Sequence, residues 1–118
     1  MSVLCAHIHE VVRDADLWLD EAVEDRYLAQ PLAQDWARVA KIGEEAGEAI
    51  EVLIGLTGQN PRKGVRGTAD DLLAELADCA LTAILAIQHF TKNTAATERA
   101  LEISFGKLAS RIPERIKS

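Results

Sequence analysis

The sequence predicts an all-α domain of four main helices, and three observations support this fold class. Apolar residues recur at spacings of three and four along four segments, which is the period of one helix face. Aromatic residues make up only 4% of the chain, so Ala, Leu and Ile provide most of the apolar surface, a mixture that favours helices. No segment has a convincing strand pattern. The 118 residues fit one domain, residues 1–118, with a modest core that a partner subunit can complete.

The first two helices follow from their apolar stripes. The first stripe comprises Leu4, Ile8, Val11, Ala15, Trp18 and Ala22. It weakens near Tyr27, and Pro31 lies in the connection or in the first turn that follows. The second helix is predicted from about Gln34 to Leu56, with a stripe of Trp36, Val39, Gly43, Ala46, Ile50 and Leu53.

A loop and two further helices complete the prediction. GLTGQNPRKGVRG contains four glycines and an Asn-Pro step, which indicates a loop. Thr68 is predicted to cap the third helix, which runs to about Phe90 or Thr91. Asn93 or Thr94 opens the fourth helix, and Pro113 suggests its end.

Charge and cysteine content limit the classes of partner and compartment. The net charge of −6 disfavours non-specific nucleic-acid binding, which needs clustered cations. A phosphorylated small molecule is still compatible with this charge if metal cations lie between the two. Cys5 and Cys79 form no paired motif, so we expect a cytoplasmic protein. We expect neither a signal peptide nor a membrane span, because charged or polar residues interrupt each apolar stretch.

Two pairs of acidic residues lie on consecutive predicted helices. Side chains three residues apart project from the same side of a helix, which groups Glu45 with Glu48 and Glu75 with Asp78. Two antiparallel helices would bring the pairs together, and the four negative charges would then need cations. Mg²⁺ prefers such oxygen ligands, together with substrate phosphates. The alternative is that these acids simply face solvent. Gly43 and Gly47 are interpreted as room for another helix to approach.

The acidic pattern resembles a known family. Glu44-Glu45-x-x-Glu48 followed by Glu75-x-x-Asp78, within AKIGEEAGEAIEVL and DLLAELADCALTAILAI, resembles the E-E-x-x-E…E-x-x-D pattern of the MazG-like all-α NTP pyrophosphatases. The resemblance covers roughly residues 36–111. It implies a helical bundle completed by oligomerisation, as a homodimer or homotetramer, and Mg²⁺ (or Mn²⁺) ligands at Glu45, Glu48, Glu75 and Asp78. It also implies that the carboxylates of Glu44 and Glu48 are catalytic. Glu44 would bind a further metal or orient the attacking water.

Other residues are weaker candidates for substrate binding. Lys41 could contact phosphate or form a salt bridge with a neighbouring acid. Trp36 and Trp18 could stack on a base, although core packing is favoured for both. His89 is expected at the surface, His7 and His9 are not expected to bind metal, and Cys79 is expected in the core. The remaining candidates for phosphate contacts are Arg62, Lys63 and Arg66 in the loop and Lys107 and Arg111 late in the chain.

The activity implied by the resemblance is hydrolysis of a nucleoside triphosphate, such as a non-standard or surplus dNTP, to nucleoside monophosphate and pyrophosphate. Phosphoryl chemistry depends mainly on positioning and electrostatic stabilisation, and metal-held water can serve as the nucleophile near neutral pH. Two alternatives stay open. One is a related hydrolase acting on phosphoribosyl-ATP, and the other is a non-catalytic helical oligomerisation module.

Overall fold

The computed structural model of the protein describes residues 4–27 and 30–117. These residues form four helices and no strand: α1 (Ala6–Tyr27), α2 (Pro31–Thr57), α3 (Ala69–Thr91) and α4 (Thr94–Arg111). The predicted all-α fold of four main helices is therefore confirmed. The second helix begins three residues earlier than expected, because Pro31 occupies its first turn, where the missing proline N–H costs no hydrogen bond.

Local side-chain chemistry sets the ends of α2, α3 and α4. Gly58 ends α2 in the left-handed conformation, with φ at 65°, which glycine adopts without a steric penalty. The Thr68 hydroxyl accepts a hydrogen bond from the Asp71 backbone N–H at 3.2 Å, and the Asp71 carboxylate accepts one from the Thr68 N–H at 2.8 Å. This reciprocal pair confirms the predicted cap. Asn93 caps α4 in a similar way, through the Ala96 N–H at 2.9 Å.

Helices α2 and α3 form an antiparallel hairpin, which has the most extensive helix–helix contact in the chain. Asp35 near the start of α2 contacts His89 near the end of α3, whereas Glu48 near the end of α2 lies close to Glu75 near the start of α3. The acidic residues of the two helices therefore face each other across the hairpin.

Polar contacts attach α1 to the other helices. The buried Asp16 of α1 pairs with Arg38 of α2. The backbone N–H of Leu4, which precedes α1, donates to the Glu98 carboxylate of α4. His9 of α1 also contacts this carboxylate, with its Nε2 atom 2.9 Å away. The buried apolar residues within the described chain are few, namely Leu4, Val12, Ala49 and Ala86.

Much of the apolar surface is left uncovered by the chain itself. The radius of gyration is 17.7 Å, against about 13–14 Å for a compact chain of this length. Trp18 is 65% exposed and Trp36 is 77% exposed. The expectation that both tryptophans pack in the core is therefore wrong within this chain. Apolar periodicity indicated which helix faces are apolar but not whether the same chain covers them.

Helix α3 is more apolar than a surface helix of a small domain usually is. Its most apolar 18-residue stretch has a mean hydropathy of 1.4, so length and composition alone would allow the helix to cross a membrane, and only 11% of that stretch is buried. As expected from the sequence, charged residues interrupt this stretch. The helix also carries Glu75 and Asp78, and an apolar surface of this kind needs cover from some other molecule.

Candidate metal centre and adjoining cavity

Three carboxylates converge between α2 and α3. Glu45, Glu48 and Glu75 each place an oxygen within 4.8 Å of the others. Helical spacing positions Glu45 and Glu48 one turn apart, and the antiparallel hairpin brings Glu75 opposite them. At this separation the charges repel one another unless a cation lies between them.

The donor set fits a small hard cation such as Mg²⁺. Glu75 Oε2 is buried and has no hydrogen-bond partner among the described residues. A buried carboxylate oxygen without a donor is costly. Mg²⁺ binds a carboxylate oxygen at about 2.0–2.1 Å, which is shorter than the hydrogen-bond distance between a water molecule and such an oxygen. A cation can therefore contact Glu75 Oε2 where a water molecule does not fit. Glu45, with 13% of its side chain exposed, and Glu48 would complete the protein ligands.

The other acids of the motif lie at the edge of this cluster. Asp78 is exposed, one turn along α3 from Glu75, and does not join the group within 4.8 Å. Lys41 Nζ lies 3.0 Å from Glu44 and 3.6 Å from Glu45. The hydrogen bond with Glu44 is the main reason why the pKa of Lys41 is raised. Lys41 was predicted either to contact phosphate or to form a salt bridge with a neighbouring acid, and the structure contains the salt bridge.

A polar hollow of about 320 Å³ adjoins the cluster on the side of the α2–α3 loop. Glu75 belongs to both the cluster and the hollow, and Glu51, Asp71 and Arg66 line the rest of its polar wall. The Arg66 backbone N–H donates to the Gly55 carbonyl at 2.8 Å, which holds this part of the loop against α2. Arg66 is therefore the loop cation that the fold brings beside the acidic cluster.

The remaining sequence candidates lie elsewhere. Arg62 and Lys63 are exposed in the loop. Lys107 and Arg111 are exposed on α4, which contacts α1 and α3 but, among the described residues, not α2. Trp36 lines a separate apolar cleft with Phe90.

The glycines of α2 do not accommodate a helix of this chain. A Cβ atom built on Gly43 or Gly47 meets no atom of the described residues within 4 Å. The interpretation that they make room for a neighbouring helix is therefore wrong within the chain, where both positions are exposed.

A partly buried ionic cluster joins α1 to the hairpin and comprises Asp16, Asp20, Arg38, His89 and Lys92. Asp16 is 1% exposed and accepts hydrogen bonds from Arg38 Nη2 at 2.9 Å and Lys92 Nζ at 2.8 Å. Asp20 also accepts from Arg38, at 3.1 Å, and from Lys92. The two aspartates also fit a metal-binding arrangement with His89, but their charge is already balanced by two cations. This cluster was not predicted from the sequence, although Asp16 and Asp20 have the spacing of one helix turn.

His89 is part of that cluster and is not a surface residue. Its side chain is 8% exposed, and its Nε2 lies 2.6 Å from an Asp35 carboxylate oxygen. The expectation of surface exposure is therefore wrong. The position of His89 on α3 gave no sign that Asp35, on another helix, would lie opposite it.

The ionic cluster shifts two pKa values in opposite directions. Burial alone would raise the pKa of Asp20, but the hydrogen bond and charge of Lys92, aided by Arg38, hold it below the ordinary value. Burial alone would lower the pKa of Lys92, but its hydrogen bonds to Asp16 and Asp20 and their charges raise it. The charged forms of both residues are therefore favoured in the folded protein.

We expect Lys92 to make stability depend on pH in the alkaline range. Its folded pKa lies above 10.5, so its stabilising contribution is complete below that pH and is lost as the pH rises through the folded pKa. The difference in unfolding free energy between wild type and Lys92→Met should not change with pH around neutrality and should shrink as the pH rises above 10.5. Urea unfolding over that range measures it, and a difference that does not change would contradict the expectation.

An apolar cavity of about 400 Å³ lies between α1, α2 and α3 on the other side of the acidic cluster. Lys41 and Thr82 are the wall residues closest in sequence to that cluster, each one helix turn from an acid of the motif, Glu45 or Asp78. The cavity, the acidic cluster and the polar hollow thus follow one another along one side of the α2–α3 hairpin. No family model, no curated protein and no solved structure matches the chain.

Proposed function

We propose that the protein is a Mg²⁺-dependent nucleoside triphosphate pyrophosphohydrolase of the MazG-like type, which yields a nucleoside monophosphate and pyrophosphate. The observation that carries this proposal is the convergence of Glu45, Glu48 and Glu75 within 4.8 Å, with Glu75 Oε2 buried and without a hydrogen-bond partner among the described residues. Surface acids that merely face solvent have no reason to converge and to bury an oxygen without a donor.

The order of features along the hairpin supports cleavage next to the α phosphate. The apolar cavity suits a base, the acidic cluster lies beside it, and the polar hollow with Arg66 follows. Mg²⁺ held by the cluster would supply positive charge that stabilises the phosphate oxygens during displacement. Arg66, which lines the same hollow as Glu75, would neutralise charge on the departing pyrophosphate.

The residues around the cluster have separate roles in this proposal. Glu48 and Glu75 would hold the cation that binds the phosphates, with Asp78 at the exposed edge. Glu44 is 59% exposed at its side chain, so it is open to solvent and accepts a proton from the attacking water. Lys41 neutralises Glu44 and Glu45 until substrate phosphates compete for its ammonium group.

A homodimer or homotetramer is part of the proposal. The exposed apolar side chains, which include Ile50, Leu53, Leu73 and Leu76 on the hairpin, are more than an isolated small domain normally leaves uncovered. Covering them with another copy also gives a role to the open positions at Gly43 and Gly47. Sedimentation equilibrium measures the assembly, and a monomer at all concentrations would contradict this part.

A panel of NTPs, dNTPs and phosphoribosyl-ATP, each with Mg²⁺, tests the activity through the released product. Pyrophosphate release from one or more triphosphates is the expected result. Preference for phosphoribosyl-ATP would move the assignment to the related hydrolase. Orthophosphate release would contradict the proposed bond. No turnover and no thermal stabilisation by Mg²⁺ with any substrate would favour a non-catalytic oligomerisation module, because a ligand that binds the folded state must stabilise it.

A further inference from the structure

The cavity between α1, α2 and α3 has a largely apolar wall with four polar residues in it, Gln34, Arg38, Lys41 and Thr82. Of the two cations, Arg38 is the enclosed one, with 11% of its side chain exposed. Ala15, Trp18 and Leu19 of α1 face Ala37 of α2 and Leu85 of α3 across it. Its volume of about 400 Å³ falls within the range of small-molecule sites, which combine apolar walls with a few polar groups. The cavity has space for a flat ring beside Trp18, whose indole can stack on such a ring.

The cavity lies close enough to the acidic cluster for one ligand to place a ring in the cavity and a phosphate at the cluster. Four residues of helix correspond to about 6 Å along the axis, so Lys41 and Thr82 in the wall lie about that far from Glu45 and Asp78. A ring in the cavity is therefore one helix turn, roughly 5 Å, from a phosphate bound beside Glu45 at the acidic cluster. Charged rings are disfavoured by the apolar wall, because burying an unpaired charge is costly.

Arg38 gives the cavity a hydrogen-bonding preference. Its side chain is 11% exposed, and its Nη2 donates to Asp16 and Asp20. Its Nη1 is buried and has no partner among the described residues. An unsatisfied buried donor is costly, so an acceptor supplied by a ligand would relieve it. Nη1 is closed to water as the side chains lie, so its neighbours must shift slightly to admit that acceptor.

We infer that this cavity binds the base of the substrate and that Arg38 Nη1 donates to a carbonyl oxygen on it. The substrate class is therefore nucleotides with an oxo base, such as uracil, thymine or guanine, in preference to adenine. Adenine has no carbonyl group, and its amino group is a donor beside the N7 acceptor. Arg38 then determines specificity, and the inference rests on the proposed function for the phosphate end of the substrate.

Binding of free nucleosides without metal tests this inference separately from hydrolysis. Calorimetric titration should detect uridine or guanosine up to millimolar concentration, and adenosine should bind about 10-fold more weakly or worse, the cost of an unmade hydrogen bond to a charged group. Ala37→Leu should fill the cavity and reduce binding by a similar factor. Ala40→Leu is the matched control on the exposed side of α2 and should bind as wild type does.

Two further variants separate the possible failures. Arg38→Lys retains a cation for Asp16 and Asp20 but lacks Nη1, so it should bind adenosine and uridine alike. Glu75→Gln should bind nucleosides as wild type does even though its hydrolysis is lost. A wild-type protein that binds nucleosides but hydrolyses no triphosphate would contradict only the proposed activity. Equal binding of all nucleosides by the wild type, binding unaffected by Ala37→Leu, or no nucleoside binding because a second copy covers the cavity would each overturn the inference.

Discussion

Glu75→Gln is expected to lower pyrophosphate release by about 100-fold or more, since even residues that only support metal ligands typically cost 10- to 100-fold when replaced. Gln keeps the shape of the side chain but removes the negative charge, so the cluster of Glu45, Glu48 and Glu75 loses affinity for Mg²⁺. Steady-state release of pyrophosphate at saturating substrate, with Mg²⁺ varied, measures both the rate and the metal dependence.

The same substitution should have the opposite effect on the metal-free protein. In the part of the chain that the structure describes, Glu75 Oε2 is buried without a hydrogen-bond donor, beside two other carboxylates. Neutralising Glu75 therefore relieves repulsion and desolvation. Glu75→Gln should therefore unfold at a higher temperature than wild type in chelator. Such an opposition between stability and activity is typical of functional sites.

Glu10→Gln is the matched control for this experiment. Glu10 is exposed on α1, so the same chemical change there should alter neither pyrophosphate release nor the stability in chelator. If Glu75→Gln releases pyrophosphate as fast as Glu10→Gln does, the acidic cluster does not bind the catalytic metal. If Glu75→Gln is also less stable in chelator, the unpartnered oxygen is not a source of repulsion.

The parts of the fold that depend on short stretches of sequence were predictable. The helix of each segment follows from its apolar period, and Thr68 was identified as a cap because a cap involves only the next few residues. The start of α4 was predicted at Asn93 or Thr94, and Asn93 is its cap. Glu45 and Glu48 could be placed on one face because the helix repeat fixes their separation. Their meeting with Glu75 needed only the assumption that a short loop makes the hairpin antiparallel.

Features that depend on contacts between distant segments were not predictable in this way. Asp35 and His89 lie on different helices, and their 2.6 Å contact depends on the registration of α2 against α3. Whether Trp18 is buried depends on how much of the apolar stripe of α1 the rest of the chain covers. Periodicity does not contain that information, because it identifies an apolar face and not its partner.

Asp16→Ala is expected to have the largest effect on stability, a loss of about 3–5 kcal/mol in unfolding free energy, typical of breaking a buried ion pair. Asp16 is 1% exposed and accepts from both Arg38 and Lys92. Its removal leaves Asp20 as the remaining carboxylate that the Arg38 guanidinium contacts in the ionic cluster. Arg38 Nη1 already has no partner among the described residues. Arg38 is too enclosed to regain its hydration, whereas Lys92 is 46% exposed and can turn to solvent. Urea unfolding at neutral pH gives the free energy directly.

Asp14→Ala on the same helix provides the comparison. Asp14 pairs with Arg13 at 3.0 Å, and both side chains are more than half exposed, so we expect a loss below about 1 kcal/mol. The double variant Asp16→Leu with Arg38→Met tests the cause of the larger loss. Because it removes both charges and fills their space with apolar atoms, it should recover much of the stability lost in Asp16→Ala. A double variant no more stable than Asp16→Ala would show that the loss comes from the geometry of the α1–α2 contact and not from an uncompensated buried charge.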